Sequence, residues 1–97
     1  MVDKVVREEI VAIIQRHLPG ARVFLFGSRA QGTNREGADY DIAVDAGGKV
    51  DFAIMLDITS DLEDSSIYVN VDVVDRYAVS SEFLASIEKG WVEWTTK

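Results

Sequence analysis

Phe24-Leu25-Phe26-Gly27-Ser28-Arg29 and, beyond a glycine-bounded loop, Asp39-Tyr40-Asp41-Ile42-Ala43-Val44 are the two segments that decide the fold. Arg22 to Phe26 is short, apolar and aromatic, which predicts a buried strand that ends at Gly27. Ser28 to Gln31 has room for one helical turn. Gly32 to Gly37 is polar and glycine-flanked, hence a loop. In Asp39 to Val44, Asp39, Asp41 and Ala43 fall on one face and Tyr40, Ile42 and Val44 on the other. That alternation predicts a half-buried strand, ended by Gly47-Gly48.

The flanking segments extend this pattern. Val2, Val6, Ile10, Ile13, Ile14 and Leu18 recur at helical spacing, with Asp3 as a cap and Pro19-Gly20 as a stop. Asp51 to Glu63 predicts a helix that turns Phe52, Met55, Ile58 and Leu62 inward. Ile67 to Val74 is β-branched and reads as a central strand. Ser80 to Lys89 predicts a helix with Ser80 as cap, Val79 stapled onto Leu84, and Phe83, Leu84 and Ile87 inward. Gly90 ends it, and Trp91 to Thr95 suits a short edge strand. The alternation of elements predicts an α/β (α+β) layer fold, one domain over residues 1–97, with helices packed on a small mixed sheet.

Composition narrows the function. The 97 residues contain no cysteine and a single histidine, so thiolate and multi-histidine metal sites are excluded. No stretch approaches the roughly 20 apolar residues of a membrane span, and Met1 to Glu9 is charged rather than signal-like. The expectation is a soluble, cytoplasmic protein. The net charge is −7, and the ten basic residues are scattered. A nucleic-acid binder displaces counterions with a basic face, which this chain lacks, so direct nucleic-acid binding is not expected. A basic protein partner, or a small anion held with metal ions, fits better.

The chemistry resides in a composite motif. A strand that stops at glycine and turns into a short helix presents backbone N–H groups and a positive dipole end to an anion. Gly27 lets a phosphate approach the main chain, and the Ser28 hydroxyl adds a donor. Asp39 and Asp41 share one strand face, about 7 Å apart, and repel each other unless a cation lies between them. Mg²⁺ takes oxygen ligands and shares its shell with phosphates. Alone, the first element also fits a plain turn and the second a polar strand face. Here ten residues with a flexible loop separate Ser28 from Asp39, so cradle and carboxylates can face each other.

Asp72 interrupts the apolar Tyr68-Val69-Asn70-Val71-Asp72-Val73-Val74; a buried aspartate there is costly without a partner, and the plainer reading is a residue on a solvated sheet face. Beside Asp39–Val44 it completes a three-carboxylate site for two ions. Two-metal logic then predicts in-line attack of a hydroxyl on an α-phosphorus, pyrophosphate departure and transfer of a nucleoside monophosphate. Asp72 is also a candidate proton acceptor.

These residues resemble the signature of the polymerase-β-like nucleotidyltransferases, G-S-x₁₀-D-x-D followed by a third aspartate in Val71-Asp72-Val73-Val74. The resemblance covers nearly the whole chain. The short length is similar to that of the minimal nucleotidyltransferases, which lack the helical nucleotide- and acceptor-binding domain of larger members and commonly serve as antitoxins of HEPN-domain ribonuclease toxins. It implies catalytic and metal roles for Asp39, Asp41 and Asp72, nucleotide binding by Gly27, Ser28 and Arg29, and two Mg²⁺ with ATP as substrate. It further implies transfer of AMP to a tyrosine hydroxyl of the toxin in a hetero-oligomer. The resemblance also implies a contact of Arg29 with the γ-phosphate. Two positions depart from the pattern: Gln31 stands where arginine is common, and Ala38 where serine is. Ala38 removes at most a hydrogen bond to a ligating aspartate. Two other readings remain open, a module that neutralises a toxin by occlusion, and a subunit acting on a small molecule.

Other residues have plainer readings. His17 suits a helix C-terminus, Asp45 a strand-end loop, and Asp57, Asp61, Glu63 and Asp64 a solvated helix face or a dock for a basic partner. Trp91 and Trp94 suit edge packing or an interface.

Overall fold

The computed structural model describes the backbone of residues 2–96 and the side chains of residues 4–96. The elements are α1 (Val2–His17), β1 (Arg22–Phe26), α2 (Gly27–Gln31), β2 (Tyr40–Asp45), α3 (Phe52–Glu63), β3 (Val71–Asp75), α4 (Ser81–Glu88) and β4 (Val92–Glu93). The expected Asp3 cap and the inward Val2 rest on side chains outside those described.

One mixed sheet runs β3-β2-β1-β4. β1 pairs antiparallel with β2 and with β4, and β2 pairs parallel with β3. Period-two alternation sorts the strand side chains onto two faces. Val23, Leu25, Tyr40, Ile42, Val44, Val71 and Val73 meet the stripes of α1 and α3 in the main core. Ile10, Ile14, Ile42 and Ile58 are wholly buried there, each stabilising the fold by about 2 kcal/mol of transfer free energy. The other face carries Phe24, Phe26, Ala43 and Val74 under Leu84 and Ile87 of α4 and under Trp91, which stacks on Phe24 at 4.0 Å. Ser80 caps α4 as expected, its hydroxyl accepting from the Phe83 amide.

Three expectations are corrected. The β3 run is an edge strand of five residues rather than a central strand from Ile67. Its valines are β-branched because one face packs on α3, not because strands flank it on both sides. Phe52 is 76% exposed. It opens α3, where the stripe that faces the core begins only at Ile54 and Met55. Asp45 is no loop residue; it is the buried last residue of β2.

The far end of the sheet is tied by buried carboxylates. Asp75 accepts from the Val50 and Tyr77 amides at 2.7 and 2.9 Å. Asp45 accepts from the Gly47 amide and from Arg76, 3.0 Å away. At the other edge, Arg22 clasps Glu93 with two hydrogen bonds of 3.1 and 2.9 Å. Those bonds, with one from Thr95, pull the Glu93 carboxyl down to about 2.

Candidate active site

The sheet register brings the three predicted aspartates to one end of one face. Asp41 stands directly opposite Asp72 across the parallel β2–β3 pair. Asp39 lies two residues before Asp41, at the mouth of the loop, and Phe26 faces Asp41 from β1. α4 covers this face only over Ala43, Phe24 and Phe26, so the aspartate end stays open. Asp39 and Asp72 are exposed and Asp41 is half-buried. Of the two readings of Asp72, the solvated sheet face is the one observed, because an edge strand lets it meet solvent.

The strand-to-helix step forms as expected, with one difference in its reason. Gly27 opens α2 at φ +77°, a conformation that costs a non-glycine residue of order 1 kcal/mol. A Cβ there would lie only 2.3 Å from Asp41 Oδ2 and 3.1 Å from its Cγ. The glycine makes room for the Asp41 carboxylate as well as for any incoming phosphate. Gly27→Ala is therefore expected to lower stability by about 1–3 kcal/mol, from backbone strain and a displaced Asp41, checked by urea unfolding. Phe26, the N-cap of α2, gives no side-chain hydrogen bond to the first turn, and no acidic residue sits in that turn. The Ser28 carbonyl accepts from the Gly32 and Thr33 amides and closes the turn.

Arg29 does something the sequence did not reveal. Its Nε donates to the Ala38 carbonyl at 2.8 Å, and its guanidinium lies 4.0 Å over the Tyr40 ring. It thereby braces the residues on either side of Asp39. Gln31 and Ala38, the two departures from the motif, do not disturb this contact. Asn70 Nδ2 donates to Asp72 Oδ1 at 3.2 Å, and the Asn70 carbonyl accepts from the Tyr40 amide. Asn70 is the residue sequence reasoning passed over; its place on the Asp72 face was the available signal.

The electrostatics are those of crowded carboxylates. Burial, then the charge of Asp72, then that of Asp39, push the Asp41 carboxyl above its ordinary value. Among the described residues no three acidic or histidine groups are already gathered at coordinating distance. The donor set is nevertheless all oxygen and carries three carboxylates, which suits a hard divalent cation. The remaining candidates have plainer roles. His17 ends α1 and bonds Asp61 of α3. Trp94 packs edge-on to Tyr40 at 6.1 Å, and Trp91 lies on Phe24.

Comparison with known proteins identifies the family. The polymerase beta nucleotidyltransferase family matches residues 8–92. The chain belongs to this family and is a nucleotidyltransferase. Among solved structures, it is similar to a toxin–antitoxin complex with AMP-PNP, at 26% identity over 94% of this chain and 74% of that one, TM-score 0.78. It is also similar to a protein described as a minimal nucleotidyltransferase, at 25% identity over 94% and 91% of the two chains, TM-score 0.73. The fold is shared with a complex of a tri-AMPylated Shewanella oneidensis HEPN toxin and an MNT antitoxin, at 22% identity over 96% and 72%, TM-score 0.75. Comparison with curated proteins finds no match. No helix among the described residues is long and apolar enough to cross a membrane.

Proposed function

We propose that this chain transfers AMP from ATP to a side-chain hydroxyl of a partner protein, and that it is the antitoxin of a HEPN-type ribonuclease toxin. The observation that carries the reading is Asp41 abreast of Asp72, with Asp39 beside them and the Gly27 turn beneath Asp41. The donor is supported by the relative bound to AMP-PNP, and the acceptor by the AMPylated HEPN toxin held with its MNT antitoxin. We assign the reaction to the cytoplasm, where ATP is at hand, and the working unit to a hetero-oligomer with the acceptor protein, as in the neighbouring complex.

In this reading each residue has one task. Gly27 and Ser28 present the first-turn amides of α2 to the triphosphate. Arg29 holds the end of the loop, so that Asp39 and Asp41 enter β2 in register. Asp39, Asp41 and Asp72 are the residues that would hold Mg²⁺. When bound, two such ions would add +4 against the −3 of the carboxylates, neutralise phosphate charge and acidify the acceptor hydroxyl. Asp72, outermost of the three, faces the acceptor and takes its proton.

The test is incubation with labelled ATP, Mg²⁺ and the product of the neighbouring reading frame. Label is expected on a hydroxyl of that protein, and chelation by EDTA should abolish the transfer. Inhibition of the partner's ribonuclease that persists without any label would instead establish occlusion.

A further inference from the structure

Beyond Asp72 the sheet ends, and a groove of about 360 Å³ runs between the residues leading into β3 and the last turn of α3. Leu62, Ile67 and Val71 give it an apolar lining, Glu63 gives it negative charge, and Asp72 stands at its active-site end. No lysine, arginine or histidine lines it. Tyr68, also in its wall, is 83% exposed, an amphipathic ring with no role in the core. β3 has no strand on its outer side, so outward N–H and C=O groups there can pair with an extended chain.

The order of parts across the sheet restricts the occupant. The Gly27–Ser28 turn follows β1, Asp41 lies on β2, Asp72 on β3, and the groove lies beyond. A triphosphate seated on the turn lies on the opposite side of Asp41 from the groove. The acidic lining repels phosphate and favours cationic groups. We propose that this groove is the acceptor channel: it takes an extended, lysine- or arginine-bearing segment of the partner protein and delivers that segment's hydroxyl to Asp72. The inference rests on the transfer reading above. In the step it serves, the acceptor oxygen forms a bond to the α-phosphorus as the bond to the β-phosphate oxygen breaks. Pyrophosphate leaves with that electron pair, and the hydroxyl proton passes to Asp72.

The probes are two short synthetic peptides with the same central tyrosine, one flanked by lysines and one by glutamates. Binding is followed by amide chemical-shift mapping on the whole chain without nucleotide. The lysine peptide is expected to shift amides of residues 62–72 and to bind about tenfold more tightly, a difference of roughly 1.4 kcal/mol. Glu63→Lys should remove most of that preference and Tyr68→Ala should weaken binding of both peptides, each leaving ATP·Mg²⁺ binding and the melting temperature unchanged. Equal binding of both peptides, or shifts confined to another surface, overturns the channel. With ATP and Mg²⁺ present, the two variants should raise KM for the partner protein and spare kcat. Unchanged KM means transfer without this channel. Lysine-peptide binding in the groove with no AMP transferred to any hydroxyl refutes the transfer reading and leaves the docking surface standing.

Discussion

Asp41→Asn is expected to reduce nucleotidyl transfer by about a thousandfold or more and to leave the metal-free protein at least as stable as the wild type. The loss follows from the proposed site. A hard cation holds a carboxylate far more strongly than an amide, and the charge stabilisation at stake is several kcal/mol, with about 1.36 kcal/mol for each tenfold in rate. The stability half follows from Asp41's surroundings. Its carboxyl is raised above its ordinary value by burial and by Asp72 and Asp39. An acid whose folded pKa is raised contributes stability that is present below its unfolded pKa and lost as pH rises through the folded one. At neutral pH without metal, ionised Asp41 therefore opposes folding, and asparagine relieves that opposition. The thermal melting curve of Asp41→Asn in EDTA should lie at or above the wild-type curve at pH 7, with the difference vanishing toward pH 3. Added Mg²⁺ should raise the wild-type melting temperature and leave the variant's in place. A variant that unfolds earlier than the wild type in EDTA would mean that Asp41 has a structural partner after all. Transfer that survives the substitution would remove Asp41 from the site.

The candidate site was legible because its signals are short-range. The Phe-Leu-Phe run ending at glycine, the period-two spacing of Asp39 and Asp41 and the lone acid in a valine strand each constrain local geometry. Placing Asp72 opposite Asp41 needed only that two strands be neighbours, and the sheet makes them so. Sheet order was less legible. A β-branched run fits a central strand or an edge strand equally well when one face is buried, so β3 was placed inside the sheet and Asp72 with it. The role of Arg29 was hidden for another reason. Its partners are a backbone carbonyl nine residues away and a ring on the next strand, and no spacing rule encodes a fold-back of the loop. The half-buried pair Asp45–Arg76 spans 31 residues and left no trace in any local pattern.

That pair yields the largest expected change in stability. Arg76→Met should destabilise the protein by about 3 kcal/mol and lower its melting temperature by roughly 12–20 °C for a domain of this size. Arg76 donates to Asp45 at 3.0 Å and to Glu88 at 3.4 Å, and its guanidinium lies over Tyr77 and Trp91 at 5.1 and 5.7 Å. It joins the C-terminal end of β2 to α4 and to the Trp91 that stacks on Phe24. Burial works to raise the Asp45 carboxyl, but hydrogen bonds from the Gly47 amide, the Tyr77 hydroxyl and Arg76 outweigh it and hold the group below its ordinary value. Such a lowered acid contributes stability that is present above its unfolded pKa and lost as pH falls through the folded one. With methionine at position 76 the Asp45 carboxylate loses its cation and keeps only the hydrogen bonds from Gly47 and Tyr77. The penalty should therefore be full at pH 7 and shrink toward pH 3, where a protonated Asp45 no longer needs a cation. Asp45→Asn in the same chain should restore about half of the loss, because the amide oxygen still accepts from Gly47 while no charge is left buried. A penalty that is flat with pH, and unrelieved in the double variant, would assign Arg76 to packing on Trp91 rather than to charge. The aspartates at the other end of the sheet should keep their Mg²⁺ response up to that lower temperature, which separates this structural pair from the site it helps to support.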